Sequence, residues 1–391
     1  MQTLHTVLKR GLLTWDRGPL SESLFRERLA RVQETIAALG HDAWLVYGDA
    51  LRYGDVAYIS HFVPRTRGAL VLVPRVGEPA LLVSVGPRDI PAAKTLTWIE
   101  DVRPFVRLPR EVIRLLAERG LARGRIGIVG VDASLSLGEW EEIRAGVPDM
   151  RWEPADEAFA PFRARKEPAE RAVMRAAGRI VHAGLERARD RLCPGISERE
   201  LTALVDRELR YAGAEDTRFL VASGERAGLG LRPPDDRHLA RGDLVLHHVA
   251  VEYQRYWAEA GQTYSLGRAR TEAETLAKAA RDAVAAMATG ARPGVTVGTL
   301  AEHALPVLRA IGGGESARAY GLGHGIGLDL EEPPCVRPGE EAGVVDESTL
   351  ALHVVVATGR GPGALAGQTI LVGGGGAEPL TGEVQPLLEC G

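Results

Sequence analysis

Gly323-His324-Gly325-Ile326-Gly327-Leu328-Asp329-Leu330-Glu331-Glu332-Pro333-Pro334 sets a histidine in a glycine-rich turn and leaves it through an acidic, proline-rich exit. Glycines on both sides of a histidine let the backbone bend sharply and let a ligand approach the ring. Imidazole is neutral or charged near pH 7, so a histidine presented this way is a candidate proton carrier or metal ligand. Upstream, Leu244–Tyr253 and Tyr256–Ser265 read as consecutive strands that carry His247, His248 and Glu259. Downstream, the strand-like Leu350-Ala351-Leu352-His353-Val354-Val355 carries another histidine.

Around this centre the chain divides in two. A length of 391 residues exceeds a usual single core. In the first third, Leu24, Leu29, Val32, Ile36 and Leu39 recur at helical spacing and stop at Gly40. Ala43–Tyr47 and Ile126–Gly130 read as buried strands, Ala69–Pro74 and Pro79–Val83 as a hairpin, and Arg110–Arg119 as a helix. Alternating strands and helices predict a small α/β domain over 1–156. A long helix then opens at Glu167-Pro168 and ends at Pro194-Gly195. Ser197 and Glu200 form a capping box for the next helix. Helices, strands, helices and again strands predict an α+β domain over 157–391.

Composition excludes several classes. With 45% hydrophobic and 26% charged residues the chain is an ordinary globular protein. A net charge of −4 lacks the basic excess of a nucleic-acid binder. No apolar run reaches the roughly 20 residues that span a bilayer, and Met1–Trp15 has too short an apolar stretch for a signal peptide, with no small-residue cleavage site after it. Cys193, Cys335 and Cys390 have no metal-type spacing and read as reduced thiols, which predicts a cytoplasmic location.

The order of features resembles the creatinase, aminopeptidase P and prolidase family, whose C-terminal domain has the pita-bread fold. Arg163-Ala164-Arg165-Lys166-Glu167-Pro168-Ala169-Glu170 is similar to the family's entry into its first long helix. Cys193-Pro194-Gly195-Ile196-Ser197-Glu198, Ala222-Ser223-Gly224, Arg241–Val245, Gly267 and Gly323–Pro334 follow in the family's order. The resemblance implies two domains and a dimer in which the partner's N-domain approaches the active site. Active members hold two divalent metals with two aspartates, a histidine and two glutamates. Carboxylates suit that role because they bridge hard cations.

Residue by residue, this chain departs from that pattern. The first aspartate position falls on His248 and the second, eleven residues later, on Glu259. The histidine is retained as His324. The first glutamate position falls on or beside His353, and the second on about Gly367, next to Gln368. Glu331 replaces a further family histidine, and Arg232 lies beside the expected place of another. A dinuclear Mn, Co or Zn centre is therefore not expected. Three readings stay open: one divalent metal on His248, Glu259, His324 and His353; a hydrogen-bonded histidine pocket; or metal-free acid–base catalysis. Creatinase, which cleaves a C–N bond without metal, makes the preferred expectation a non-peptidase enzyme. It would act on a small polar or amino-acid-like substrate by hydrolysis, lyase or cyclising chemistry. His324 and His353 are its acid–base candidates, Glu259 and Glu331 its orienting carboxylates, and His248 a ligand or base. Arg65, Arg67, Arg232, Arg360, Tyr256 and Gln262 are the substrate-binding candidates. The alternative is a catalytically inactive binding module. Strand alternation puts His247 and His248 on opposite faces, with His248 toward the cavity.

Overall fold

The computed structural model describes residues 14–64, 66–359 and 361–390, apart from the side chains of Ser316 and Ala317. The substrate-side candidates Arg65 and Arg360 lie outside the described residues. The chain forms two compact units, Met1–Arg163 and Ala164–Gly391. The division falls at the last residue of the helix Asp156–Ala164.

The N-terminal unit is built on a six-stranded sheet. Its strands are β1 (Ala43–Asp49), β2 (Gly68–Pro74), β3 (Ala80–Val83), β4 (Asp101–Pro104), β5 (Arg125–Val129) and β6 (Arg151–Pro154), in the order β4-β3-β2-β1-β5-β6. β2 joins β1 and β3 by antiparallel pairing, as the turn between them requires; β1, β5 and β6 run parallel. Helix α1 (Glu22–Ala38) starts where the Ser21 hydroxyl accepts the Leu24 N–H. Phe25, Leu29, Val32 and Ile36 form its buried stripe. Helix α2 (Leu108–Glu118) buries Leu108, Val112, Leu115 and Leu116 in the same way.

The C-terminal unit is a nine-stranded sheet with its helices on the outer face. Helix α3 (Pro168–Arg191) has proline in its first turn and a Glu167–Glu170 capping box, and α4 (Glu198–Tyr211) has the Ser197–Glu200 box. The strands are β7 (Asp216–Ser223), β8 (Leu244–Tyr253), β9 (Tyr256–Leu266), β10 (Gly323–Gly325), β11 (Glu332–Cys335), β12 (Ser348–Val356) and β13 (Ala364–Gly373). They run in the order β11-β10-β12-β13-β9-β8-β7, with two short strands paired to β13 and β9. Val181, Leu201 and Val205 of α3 and α4 pack on Val245, Val249 and Tyr264. Helices α5 (Thr271–Gly290) and α6 (Val297–Arg309) bring Val284 and Leu300 onto Leu350, Leu352 and Ile370. Strand residues of the other parity are left on the inner face.

The seam between β9 and β13 organises that inner face. Backbone pairing there is confined to Gly261 opposite Gly367. On one side the Thr263 hydroxyl donates to the Leu365 carbonyl (2.8 Å) and accepts the Leu365 N–H (2.8 Å). On the other, the Thr369 hydroxyl donates to the Glu259 carbonyl (2.8 Å) and accepts the Glu259 N–H (2.9 Å). Two threonines thus stand in for the ladder, and each satisfies both buried backbone groups of its partner.

Candidate metal centre

Cross-strand partners share a face, so register alone predicts which side chains meet. His248 faces Gly261, Gly261 faces Gly367, and Gly367 faces His353. In the next row Ala250 faces Glu259, and Ala351 faces both Thr369 and His324. The two rows carry His248, His353, Glu259 and His324 on the inner face. The middle of the first row is glycine, which leaves room for the imidazoles. A Cβ on Gly367 would lie 3.2 Å from His353 Cβ and 3.2 Å from the Gly261 nitrogen.

Glu259 sits at the centre. Its Oε1 lies 3.6 Å from His324 Nε2 and 3.4 Å from His353 Nδ1, and its Oε2 lies 3.5 Å from His248 Nε2. The rings of His324 and His353 are edge-to-face with centroids 5.5 Å apart. Burial by itself would raise the Glu259 pKa. The imidazoles of His248, His353 and His324 outweigh it and hold the carboxyl well below the usual carboxylate range.

These separations are long for hydrogen bonds, which run at 2.7–3.2 Å for N–H···O. They fit the edge of a coordination tetrahedron, roughly 3.3–3.4 Å when each donor is about 2.0–2.1 Å from a first-row ion. The ligand atoms of Glu259, His324 and His353 all lie within 4.8 Å of one another. His324 Nδ1 is 2.9 Å from the Gly325 carbonyl, which can only accept. Nδ1 therefore carries the proton, and Nε2 turns its lone pair toward Glu259, the arrangement metal-bound histidines use. His248 adds a buried Nδ1 without a hydrogen-bond partner among the described residues. One carboxylate and up to three imidazoles fit a borderline first-row cation better than a pair of hard ones.

Other candidates are placed elsewhere. Tyr256 and Gln262, expected at the substrate, are three residues from Glu259 along β9 and so face the helices. The Tyr256 hydroxyl donates to Glu170 (2.9 Å), and the Gln262 amide donates to the Thr263 and Pro386 carbonyls. Arg232 is exposed, and its carbonyl accepts the Val221 N–H at the edge of β7. Glu331 is exposed on the bend before β11, outside the cluster. Arg67 belongs to the N-terminal unit, where it donates to the Val106 carbonyl and lies over the Phe105 ring. His247 faces the helices as alternation requires, between Phe219 and Tyr264. Sequence reasoning overlooked Thr369, which grips the Glu259 backbone, and Arg218, which shares a row with Glu259 through Ala250. The signal for Thr369 was its place two residues past Gly367 on an alternating strand; Arg218 needed the pairing of β7 with β8.

Comparison with known proteins supplies the context. Residues 172–373 match the model of metallopeptidase family M24, and residues 28–165 match the creatinase/prolidase N-terminal domain. An Xaa-Pro dipeptidase of Pyrococcus horikoshii is 24% identical over 360 residues, covering 92% of this chain and 97% of that protein. An Xaa-Pro dipeptidase of Pyrococcus furiosus is 24% identical over 262 residues, 66% of this chain and 75% of that one. Among solved structures, the prolidase of Pyrococcus horikoshii superposes with a TM-score of 0.81 at 24% identity, covering 93% of this chain and 100% of that one. The X-Pro aminopeptidase of Thermotoga maritima gives 0.83 at 22% identity, covering 93% and 99%.

These likenesses overturn the expectation of a non-peptidase, creatinase-like hydrolase, lyase or cyclase, and of an inactive binding module. Proteins similar over nearly the whole chain are Xaa-Pro dipeptidases. The expectation treated changed ligand positions as a lost centre. Imidazole is itself a metal ligand, and Glu259, His324 and His353 still converge. The chain, with a two-domain creatinase/prolidase architecture and a pita-bread C-terminal domain, belongs to metallopeptidase family M24.

Proposed function

We propose that this chain is a metal-dependent peptidase that hydrolyses dipeptides of the Xaa-Pro type with a single divalent first-row cation. Glu259, His324 and His353 hold the cation, and His248 stands beside the second oxygen of Glu259. The observation that carries the reading is the convergence of those three ligand atoms within 4.8 Å. The substrate class rests on the Xaa-Pro dipeptidases to which the chain is similar. One cation is favoured over two because Glu259 is the sole carboxylate of the cluster among the described residues and Gly367 offers no side chain.

A bound cation would supply Lewis acidity toward the scissile carbonyl and toward a water. The chain's own groups do the rest. Glu259 remains ionised because its pKa is held low. The Gly325 carbonyl fixes the His324 tautomer, so Nε2 is always the donor atom. His248 Nε2, beside Glu259 Oε2, is the imidazole left to move a proton. The test is release of proline from alanyl-proline by protein purified without chelator. Activity should vanish on chelation, return with zinc or cobalt, and fall at least about a hundredfold in Glu259→Gln. Hydrolysis that survives chelation excludes the metal. Absence of release from a panel of Xaa-Pro dipeptides excludes the peptidase.

A further inference from the structure

On the outer face of the C-terminal sheet, α5 and the turn that joins β13 to the short strand Gly376–Pro379 border a cleft of about 590 Å³. Gln368 is part of its lining. Gly367 belongs to the inner face, so alternation turns Gln368 the other way, toward the helices. The residue is only 5% exposed, yet its amide has no hydrogen-bond partner among the described residues. Buried amides are paired as a rule, and this one carries two N–H donors on the wall of a cleft.

The charge at the cleft is set by α5 and the residues that follow it. The Arg292 guanidinium has no hydrogen-bond or ion-pair partner among the described residues. It lies against the turn: a Cβ on Gly376 would come within 2.9 Å of Arg292 Nη1. Gly376 has φ +115°, which only glycine adopts freely, so the turn makes room for the arginine. Earlier on α5, Asp282 accepts from Lys278 Nζ (2.6 Å) and Arg281 Nε (2.9 Å), and that trio keeps one net positive charge. Glu383 stands exposed at the rim. Lys278, Arg281 and Arg292 against Asp282 and Glu383 leave the cleft one positive charge in excess. Its remaining wall is apolar, with Ala285, Ile370, Ala377 and Val384.

We propose that this cleft is a second binding site, for a small aliphatic monocarboxylate. Arg292 pairs with the carboxylate, and the Gln368 amide donates to the same ligand. The apolar wall covers its hydrocarbon part. One excess positive charge matches one negative charge, and the carboxylates of Asp282 and Glu383 repel a second. The site lies on the opposite face of the sheet from the Glu259 cluster and rests on nothing in the peptidase reading.

The test is calorimetric titration of the intact, metal-loaded protein with sodium butyrate, and with butyramide, succinate and phosphate for comparison. Wild type should bind butyrate with a Kd of about 1 mM or tighter. The other three should bind at least about tenfold more weakly, since each loses the charge, doubles it or lacks the hydrocarbon. Arg292→Ala should weaken butyrate by about tenfold or more, and Arg292→Lys by less, because lysine keeps the charge and loses the fork. Gln368→Leu should weaken it severalfold. Ala285→Glu, at an exposed helical position, puts a further carboxylate in the cleft and should abolish binding with circular dichroism unchanged. No binding to wild type overturns the proposal. So does wild-type affinity in both Arg292→Ala and Ala285→Glu, which would place butyrate elsewhere, the metal cluster included. Equal affinity for butyramide removes the carboxylate from the reading, and equal affinity for phosphate or succinate removes the aliphatic monocarboxylate; either result overturns it as well.

Discussion

Gly323 and Gly325 frame His324 for a reason different from the one their spacing suggested. A Cβ on Gly323 would lie 2.2 Å from the Ala351 carbonyl oxygen, and one on Gly325 would lie 2.3 Å from that of Pro333. Adjacent strands, rather than a ligand, demand the absence of side chains. Gly325→Ala should therefore cost about 1–3 kcal/mol in urea unfolding and weaken metal binding, because the shifted strand carries His324. Unchanged stability would show that the strands relax freely. At this scale much of the site was legible. His248, Glu259, His324 and His353 were all named from spacing and resemblance. Tyr256 and Gln262 were not excluded, although parity with Glu259 already placed them on the opposite face.

Elements show how the site is held, and two predictions belong here. The seam of β9 and β13 depends on Thr369, so Thr369→Val leaves the Glu259 N–H and carbonyl without their partner. That should destabilise the protein by about 1–3 kcal/mol and lower metal affinity more than Thr263→Val does. Equal affinities for the two variants would remove the positioning role of Thr369. His247 is the second case. It is fully buried, and neither ring nitrogen has a hydrogen-bond partner among the described residues. Burial, helped by the adjacent His248, pushes its pKa down to about 3. The unfolded chain titrates near 6.5, so between those values the unfolded state holds the extra proton. Stability is then full above about pH 6.5 and is lost as pH falls toward 3, at about 1.4 kcal/mol per pH unit from this group. His247→Leu should flatten that slope and stabilise the fold at pH 7 by about 1–2 kcal/mol. A variant with the wild-type acid profile would contradict this. Sequence alternation foretold the face of His247, but the lack of a partner is a property of packing that no pattern reveals.

For the whole molecule, helix caps, hairpins and apolar periodicity foretold the two-domain order, because each is a local signal. Ser197–Glu200, Ser21 and the β2–β3 turn are examples. The seam of β9 and β13 was not foretold, because it joins residues about a hundred positions apart. The function was misjudged for another reason: the changed ligand types were given more weight than the likeness to Xaa-Pro dipeptidases over nearly the whole chain. Each unit has its own sheet and core, and the cluster lies wholly in the C-terminal one. Chelation should therefore lower the unfolding free energy of the C-terminal unit, by about 2.7 kcal/mol if free metal stood at a hundred times Kd, and leave the N-terminal unit's protection from hydrogen exchange unchanged. Equal loss in both units would mean that they unfold as one. The central claim is a single metal on imidazoles and one carboxylate. Elemental analysis of protein purified without chelators tests it most directly: about one equivalent of a first-row metal per chain, lost in Glu259→Gln and His353→Ala, is the result expected. Two equivalents, or one that survives both substitutions, would contradict it.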